Sequence, residues 1–97
     1  STATSPANEF GELKVYPNPV RPEYQGNIAV KGMMSNSEVK IIDASGMHII
    51  TIFSNGGQAV WDGIDKNNQA VGSGVYYFLA TSEDGYSKAK SKVLIIR

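Results

Sequence analysis

The chain of 97 residues contains no cysteine and a single histidine, His48. Without cysteine there is neither a disulfide framework nor a thiolate metal site. No apolar run approaches the roughly 18–20 residues of a membrane-spanning helix, so we expect no direct membrane span. Nine basic residues balance nine acidic ones, and a net charge of zero lacks the basic footprint of a nucleic-acid-binding domain. We therefore expect no nucleic acid among its partners.

The length corresponds to one domain. Residues 1–9 are mostly small and polar and lack apolar periodicity, so they predict a flexible linker or a remnant of the expression vector. The folded domain is expected at residues 10–97. No signal peptide opens the chain, so an exported protein would carry its export signal in a longer precursor.

Short runs of alternating apolar residues, separated by turn residues, follow from Phe10 onward. The runs lie at residues 10–16, 28–30, 39–42, 47–53, 59–61, 75–81 and 86–97. No segment shows a sustained helical period, so little or no helix is expected. Seven short strands at this spacing predict an all-β fold, a seven-stranded antiparallel immunoglobulin-like β-sandwich with Greek-key connections.

The alternation also predicts which side chains form the core, because successive residues of a strand point to opposite faces. The predicted core residues are Leu13, Val15, Ile28, Val30, Val39, Ile41, Ile50, Ile52, Trp61, Val75, Tyr77, Leu79, Val93 and Ile95. The last run is unusual because residues 93–96 are apolar on both faces. Either this strand is covered on both sides, or Leu94 and Ile96 form an outward contact surface.

A search for reactive groups yields no catalytic constellation and no cofactor motif. His48 is interpreted as a solvated strand or turn residue. Asp62 and Asp65, near Asn67 and Gln69, either cap turns or offer oxygen ligands to calcium, and we expect no metal because the closing glutamate of an EF-hand is missing. Tyr76 and Phe78 share one face of a strand, which suits either sheet packing or sugar stacking.

Several motifs occur in a fixed order along the chain. They are KVYPNP at residues 14–19, VKIIDASG at 39–46, WDG at 61–63, GVYY at 74–77 and KVLIIR at 92–97. The ordered set resembles the type A C-terminal sorting domains of the type IX secretion system of Bacteroidetes. Its middle part is also similar to the immunoglobulin-like domain of the flagellar hook-capping family.

This resemblance implies a non-catalytic signal domain that directs its parent protein through the type IX system to the cell surface. The implied partners are the outer-membrane translocon and its shuttle or sortase components. The implied location is the periplasm in transit and then the cell surface or the extracellular space. The alternative is an accessory spacer or glycan-binding module of a surface enzyme or adhesin.

For the surface that the translocon would recognise, we expect a rigid corner after the first strand and a terminal strand with an open edge. The candidate residues are Pro17, Asn18, Pro19, Lys92, Val93, Leu94, Ile95, Ile96 and Arg97. A partner could recognise the terminal strand by strand addition. An open edge also favours self-association, so a strand-exchanged homodimer of the isolated domain is a further expectation.

Overall fold

Seven β-strands form the regular structure of residues 10–97, which are the residues that the computed structural model describes. They are β1 (Lys14–Tyr16), β2 (Ile28–Lys31), β3 (Glu38–Asp43), β4 (His48–Phe53), β5 (Gln58–Trp61), β6 (Gly74–Thr81) and β7 (Lys88–Ile95). These residues contain no helix, as the sequence predicted. The linker expected at residues 1–9 lies outside the described residues.

The strands form two antiparallel sheets. A three-stranded sheet has the order β1-β2-β5, and a four-stranded sheet has the order β4-β3-β6-β7. Because β2 pairs with β5 and β3 pairs with β6, the chain crosses between the sheets rather than running as a meander. The predicted immunoglobulin-like sandwich with Greek-key connections is confirmed.

Trp61 lies at the centre of the core and is fully buried between the sheets. The centroid of its ring lies 5.7 Å from the ring centroid of Tyr76. The ring centroid of Phe78 lies 5.9 Å away, and these two rings meet edge to face. The indole Nε1 donates a hydrogen bond to the carbonyl oxygen of Ile64 at 2.8 Å. The only polar atom of this large side chain is therefore satisfied, and its apolar surface joins the two sheets.

Most of the predicted core is buried. The confirmed residues are Leu13, Val15, Ile28, Val30, Val39, Ile41, Trp61, Val93 and Ile95. Ile50 and Ile52 are only partly buried and pack against the core from β4. Their partial exposure follows from the position of β4 at the edge of its sheet.

The predicted orientation of β6 is wrong. Val75, Tyr77 and Leu79 lie on the outer face, and Tyr76, Phe78 and Ala80 are the buried residues of this strand. The physical reason is the cross-strand register, which places Phe78 opposite Ile41 and Tyr76 opposite Val93. Burial of Tyr76 and Phe78 also removes the exposed aromatic face that sugar stacking would require.

Candidate functional site

The turn after β1 carries the chain from one sheet to the other. Val20 forms an isolated parallel bridge with Ile95 of β7 and is itself buried. The amide of Val20 donates to the carbonyl oxygen of Leu94 at 2.8 Å, and the amide of Ile96 donates to the carbonyl oxygen of Val20 at 2.7 Å. Residues 17–20 therefore connect β1 of the three-stranded sheet to the edge of the four-stranded sheet.

Asn18 extends this pairing with its side chain. The Nδ2 group donates to the carbonyl oxygen of Lys92 at 3.1 Å, and Oδ1 accepts a hydrogen bond from the amide of Leu94 at 3.2 Å. Pro17 and Pro19 have no backbone N–H with which to pair. The carboxamide of Asn18 thus substitutes for a backbone peptide group. We call residues 18–20, with the four hydrogen bonds that they make to residues 92–96, the edge clamp.

The chain end is fixed by the turn region between β5 and β6. The amide of Arg97 donates to Ser73 Oγ at 2.8 Å, and its Nε donates to the carbonyl oxygen of Val71 at 3.1 Å. Gly63 adopts φ 79°, and a Cβ at this position would lie 3.3 Å from a terminal guanidinium nitrogen of Arg97. Glycine at position 63 therefore suits both the left-handed turn and the close approach of the Arg97 side chain.

The candidate residues predicted from the sequence come together in space, but they differ in accessibility. Val93 and Ile95 are fully buried in the core. Asn18, Lys92, Leu94 and Arg97 are exposed, and Pro17, Pro19 and Ile96 are partly exposed. The accessible part of the set forms one surface along the edge clamp and the chain end.

The open edge expected at the terminal strand is absent from the carbonyl oxygen of Lys92 to the amide of Ile96. Their outward carbonyl oxygens at Lys92 and Leu94 and their outward amides at Leu94 and Ile96 all bond to the edge clamp. Strand addition at these residues would first require the clamp to be displaced. The sequence did not predict this pairing, because the bonded residues lie more than 70 positions apart and share no local pattern.

The contacts of Arg97 with Val71, Ser73 and Gly63 were also missed. Gly72 and Gly74 are residues that favour a turn before β6, but nothing in the sequence indicates which residue such a turn would contact. The structure therefore adds a third segment, residues 63–73, to the candidate surface. This segment accepts hydrogen bonds from Arg97, and residues 18–20 bond to the residues just before Arg97.

The other candidates have local structural roles. Asp65 Oδ1 accepts hydrogen bonds from the amides of Asn67 at 2.8 Å and Gln69 at 3.0 Å, which is the turn-capping alternative. Within residues 10–97 there is no group of three or more histidine, cysteine or acidic residues that could hold a metal ion. His48 is exposed, with Nε2 2.8 Å from Thr51 Oγ1. In the same part of the chain, no helix is long and apolar enough to span a bilayer.

Comparisons with known proteins show a similarity of the chain to secretion domains. The family model described as "Secretion system C-terminal sorting domain" matches residues 14–97. A solved structure of PorZ, described as an essential surface component of the type IX secretion system of Porphyromonas gingivalis, superposes with a TM-score of 0.78 and 28% identity. The match covers 88% of this chain and 11% of the PorZ chain. A search of curated proteins found no match.

Proposed function

Because the chain belongs to the family of secretion system C-terminal sorting domains, we propose that it directs its parent protein through the type IX secretion system to the cell surface of a Bacteroidetes bacterium. Membership of this family makes the domain a secretion signal, and the family is one of sorting signals rather than of enzymes. The proposed route passes through the periplasm, where the folded domain meets the outer-membrane translocon and its shuttle or sortase components.

The proposed recognition surface consists of the exposed part of the edge clamp and of residues 92–97. One observation carries this assignment: three segments that are distant in sequence, residues 18–20, 92–97 and 63–73, are joined by hydrogen bonds. The first segment, at residues 18–20, bonds to β7, and the third, at residues 63–73, bonds to Arg97. A partner could therefore recognise all three segments at once, but only when the domain is folded. Val93 and Ile95 contribute by holding β7 in place rather than by direct contact.

Leu94 is the most suitable residue for a test. Its side chain is 42% exposed at the centre of the proposed surface, whereas Val60 is 43% exposed on β5 of the other sheet. We propose to fuse the chain to a periplasmic reporter in a type IX-competent cell and to compare Leu94→Lys with Val60→Lys. A recognition role for the surface predicts that Leu94→Lys abolishes delivery of the reporter to the cell surface and that Val60→Lys does not.

The two variants place the same charged side chain at equally exposed strand positions, so they are matched in their cost to folding. Urea denaturation of the purified variants checks that match. Equal delivery by both variants would contradict the proposed surface. Periplasmic retention of the unaltered fusion would contradict the secretion route itself and would favour a spacer or glycan-binding module.

A further inference from the structure

The clamp covers only part of the β7 edge. The amide and carbonyl groups of Leu94 point away from β6. Because the hydrogen-bonding direction alternates along an antiparallel strand, the backbone groups of Lys88, Lys90 and Lys92 also point away from β6. Asn18 occupies the carbonyl oxygen of Lys92. Within residues 10–97, the outward amides of Lys88, Lys90 and Lys92 and the outward carbonyls of Lys88 and Lys90 make no hydrogen bond. This part of the edge can accept a further strand.

The free edge also has a distinctive charge. Lys88, Lys90 and Lys92 all project onto the outer face of the four-stranded sheet, because they lie opposite the outward residues Thr81, Leu79 and Tyr77. Lys40 lies on the same face opposite Leu79, and Glu38 is the acidic residue of that face within the strands. The face therefore holds four basic residues and one acidic residue, although the chain as a whole is neutral. The positive charge is concentrated beside backbone groups that have no hydrogen-bond partner among residues 10–97.

There is room for an additional strand beside this edge. An open groove of about 610 Å³ lies between the segment that leads into β1 and the middle of β7. Its lining includes Glu12, Leu13, Tyr77, Ala89, Lys90 and Lys92. Ser91 Oγ, 3.4 Å from the carbonyl oxygen of Leu13, closes its inner side. The groove thus brings apolar side chains such as those of Leu13 and Tyr77 next to Lys90 and Lys92 of the β7 edge.

We infer that this edge binds an extended acidic segment of a partner protein, which adds to the four-stranded sheet as a strand beside residues 88–92. In such a strand alternate side chains lie on one face, so carboxylates at every second position would stand opposite the three lysines. The same lysines disfavour pairing of this edge with a second copy, because two such edges would bring like charges together. This inference does not depend on the proposed secretion route.

The test uses the full chain and a synthetic ten-residue peptide in which glutamate alternates with threonine and valine. Fluorescence anisotropy would measure the dissociation constant, and NMR would follow the amides of Lys88 and Lys90. We expect saturable binding that weakens as ionic strength rises and that shifts these two amides. The triple variant Lys88→Glu, Lys90→Glu and Lys92→Glu should lower the affinity at least tenfold. The matched control is Lys14→Glu with Lys31→Glu, a cross-strand pair of exposed lysines in the other sheet, and it should bind as the unaltered chain does.

Two further arms separate strand addition from simple charge attraction. A peptide that is N-methylated at alternate residues keeps its charges but loses its backbone donors, so it should bind at least tenfold more weakly. A peptide with lysine in place of glutamate should bind the triple variant and not the unaltered chain. Equal binding of the methylated peptide would overturn the inference. Binding of dextran sulfate without binding of the glutamate peptide would also overturn it, since the edge would then be a general anion surface.

Discussion

The Oδ1 atom of Asn18 accepts a hydrogen bond from the amide of Leu94 at 3.2 Å, across 76 positions of sequence. The same carboxamide donates to the carbonyl oxygen of Lys92. One exposed side chain therefore joins the turn after the first strand to the edge of the last strand. Because β1 belongs to the other sheet, this contact also helps to hold the two sheets together along one side of the sandwich.

Asn18→Ala should loosen the edge clamp without unfolding the domain. Both hydrogen bonds of the carboxamide are lost, and since both are solvent-exposed we expect a cost of about 1 kcal/mol in the free energy of unfolding. Amide hydrogen exchange gives the sharper measurement. The amide of Leu94 should lose protection, whereas that of Val93, which faces β6, should change only as far as global stability does.

Asn18→Asp is the matched variant because it keeps the acceptor for the Leu94 amide and loses the donor to Lys92. It should protect the Leu94 amide better than Asn18→Ala does. Equal protection of Leu94 in the unaltered chain and in Asn18→Ala would show that water replaces the clamp without cost.

The number and order of the strands followed from local patterns in the sequence. Alternating apolar residues between turn signals predicted all seven strands, because a half-buried strand requires one apolar face. The orientation of β6 did not follow from the same rule. Its residues 75–80 are apolar or aromatic at every position, so a period of two fits either face equally well. The contacts of Trp61 and the register with β3 decide the orientation, and neither is a local property.

The sequence indicated which residues belong to the candidate surface but not how they are arranged in space. The turn at residues 17–19 and the terminal strand were recognised separately, each from its own composition. Their hydrogen bonds depend on the packing of the two sheets, which brings distant segments to one edge. The alternation predicted Val93 and Ile95 in the core, which the structure confirms, but because residues 93–96 are all apolar it left open whether Leu94 is covered or exposed.

The orientation of β6 can be tested with adjacent residues. Phe78 is fully buried against Trp61, whereas the next residue, Leu79, is 37% exposed on the outer face. Phe78→Ala should lower the free energy of unfolding by about 3–5 kcal/mol, because a large cavity opens in the core. Leu79→Ala should cost less than about 1.5 kcal/mol, since its side chain leaves a partly solvated site. Urea denaturation of both variants measures the difference, and the reverse ranking would place Leu79 in the core.

A buried hydroxyl network should make Ser54 sensitive to substitution. Ser54 Oγ accepts a hydrogen bond from the amide of Ser37 at 2.8 Å and donates to the carbonyl oxygen of Met34 at 2.6 Å. Both serines are buried, so Ser54→Ala leaves the Ser37 amide without its partner inside the protein. We expect a loss of about 1–3 kcal/mol in the free energy of unfolding.

Ser73→Ala is a suitable control for this effect, because Ser73 Oγ accepts its hydrogen bond from Arg97 at an exposed site. That substitution should cost less than Ser54→Ala in the same denaturation experiment. If both variants unfold at the same urea concentration as the unaltered chain, water must reach the amide of Ser37.

Two hairpin turns should make stability depend on pH in the acid range. The hydroxyl of Ser45, with the amide of Met47, holds the pKa of Asp43 below its usual value, and the hydroxyl of Ser82, with the amide of Tyr86, does the same for Asp84. A carboxyl whose pKa is lower in the folded state stabilises that state above the unfolded pKa of about 4, and the contribution is lost as pH falls through the folded value. The free energy of unfolding should therefore decrease below about pH 4.

Asp43→Asn with Asp84→Asn should flatten this decrease. Ser45→Ala should flatten it in part, because it removes the hydrogen bond that lowers the pKa of Asp43 most. Thermal unfolding from about pH 7 to about pH 2.5 measures the slope. An identical slope in the double variant and the unaltered chain would assign the acid sensitivity to other carboxyls.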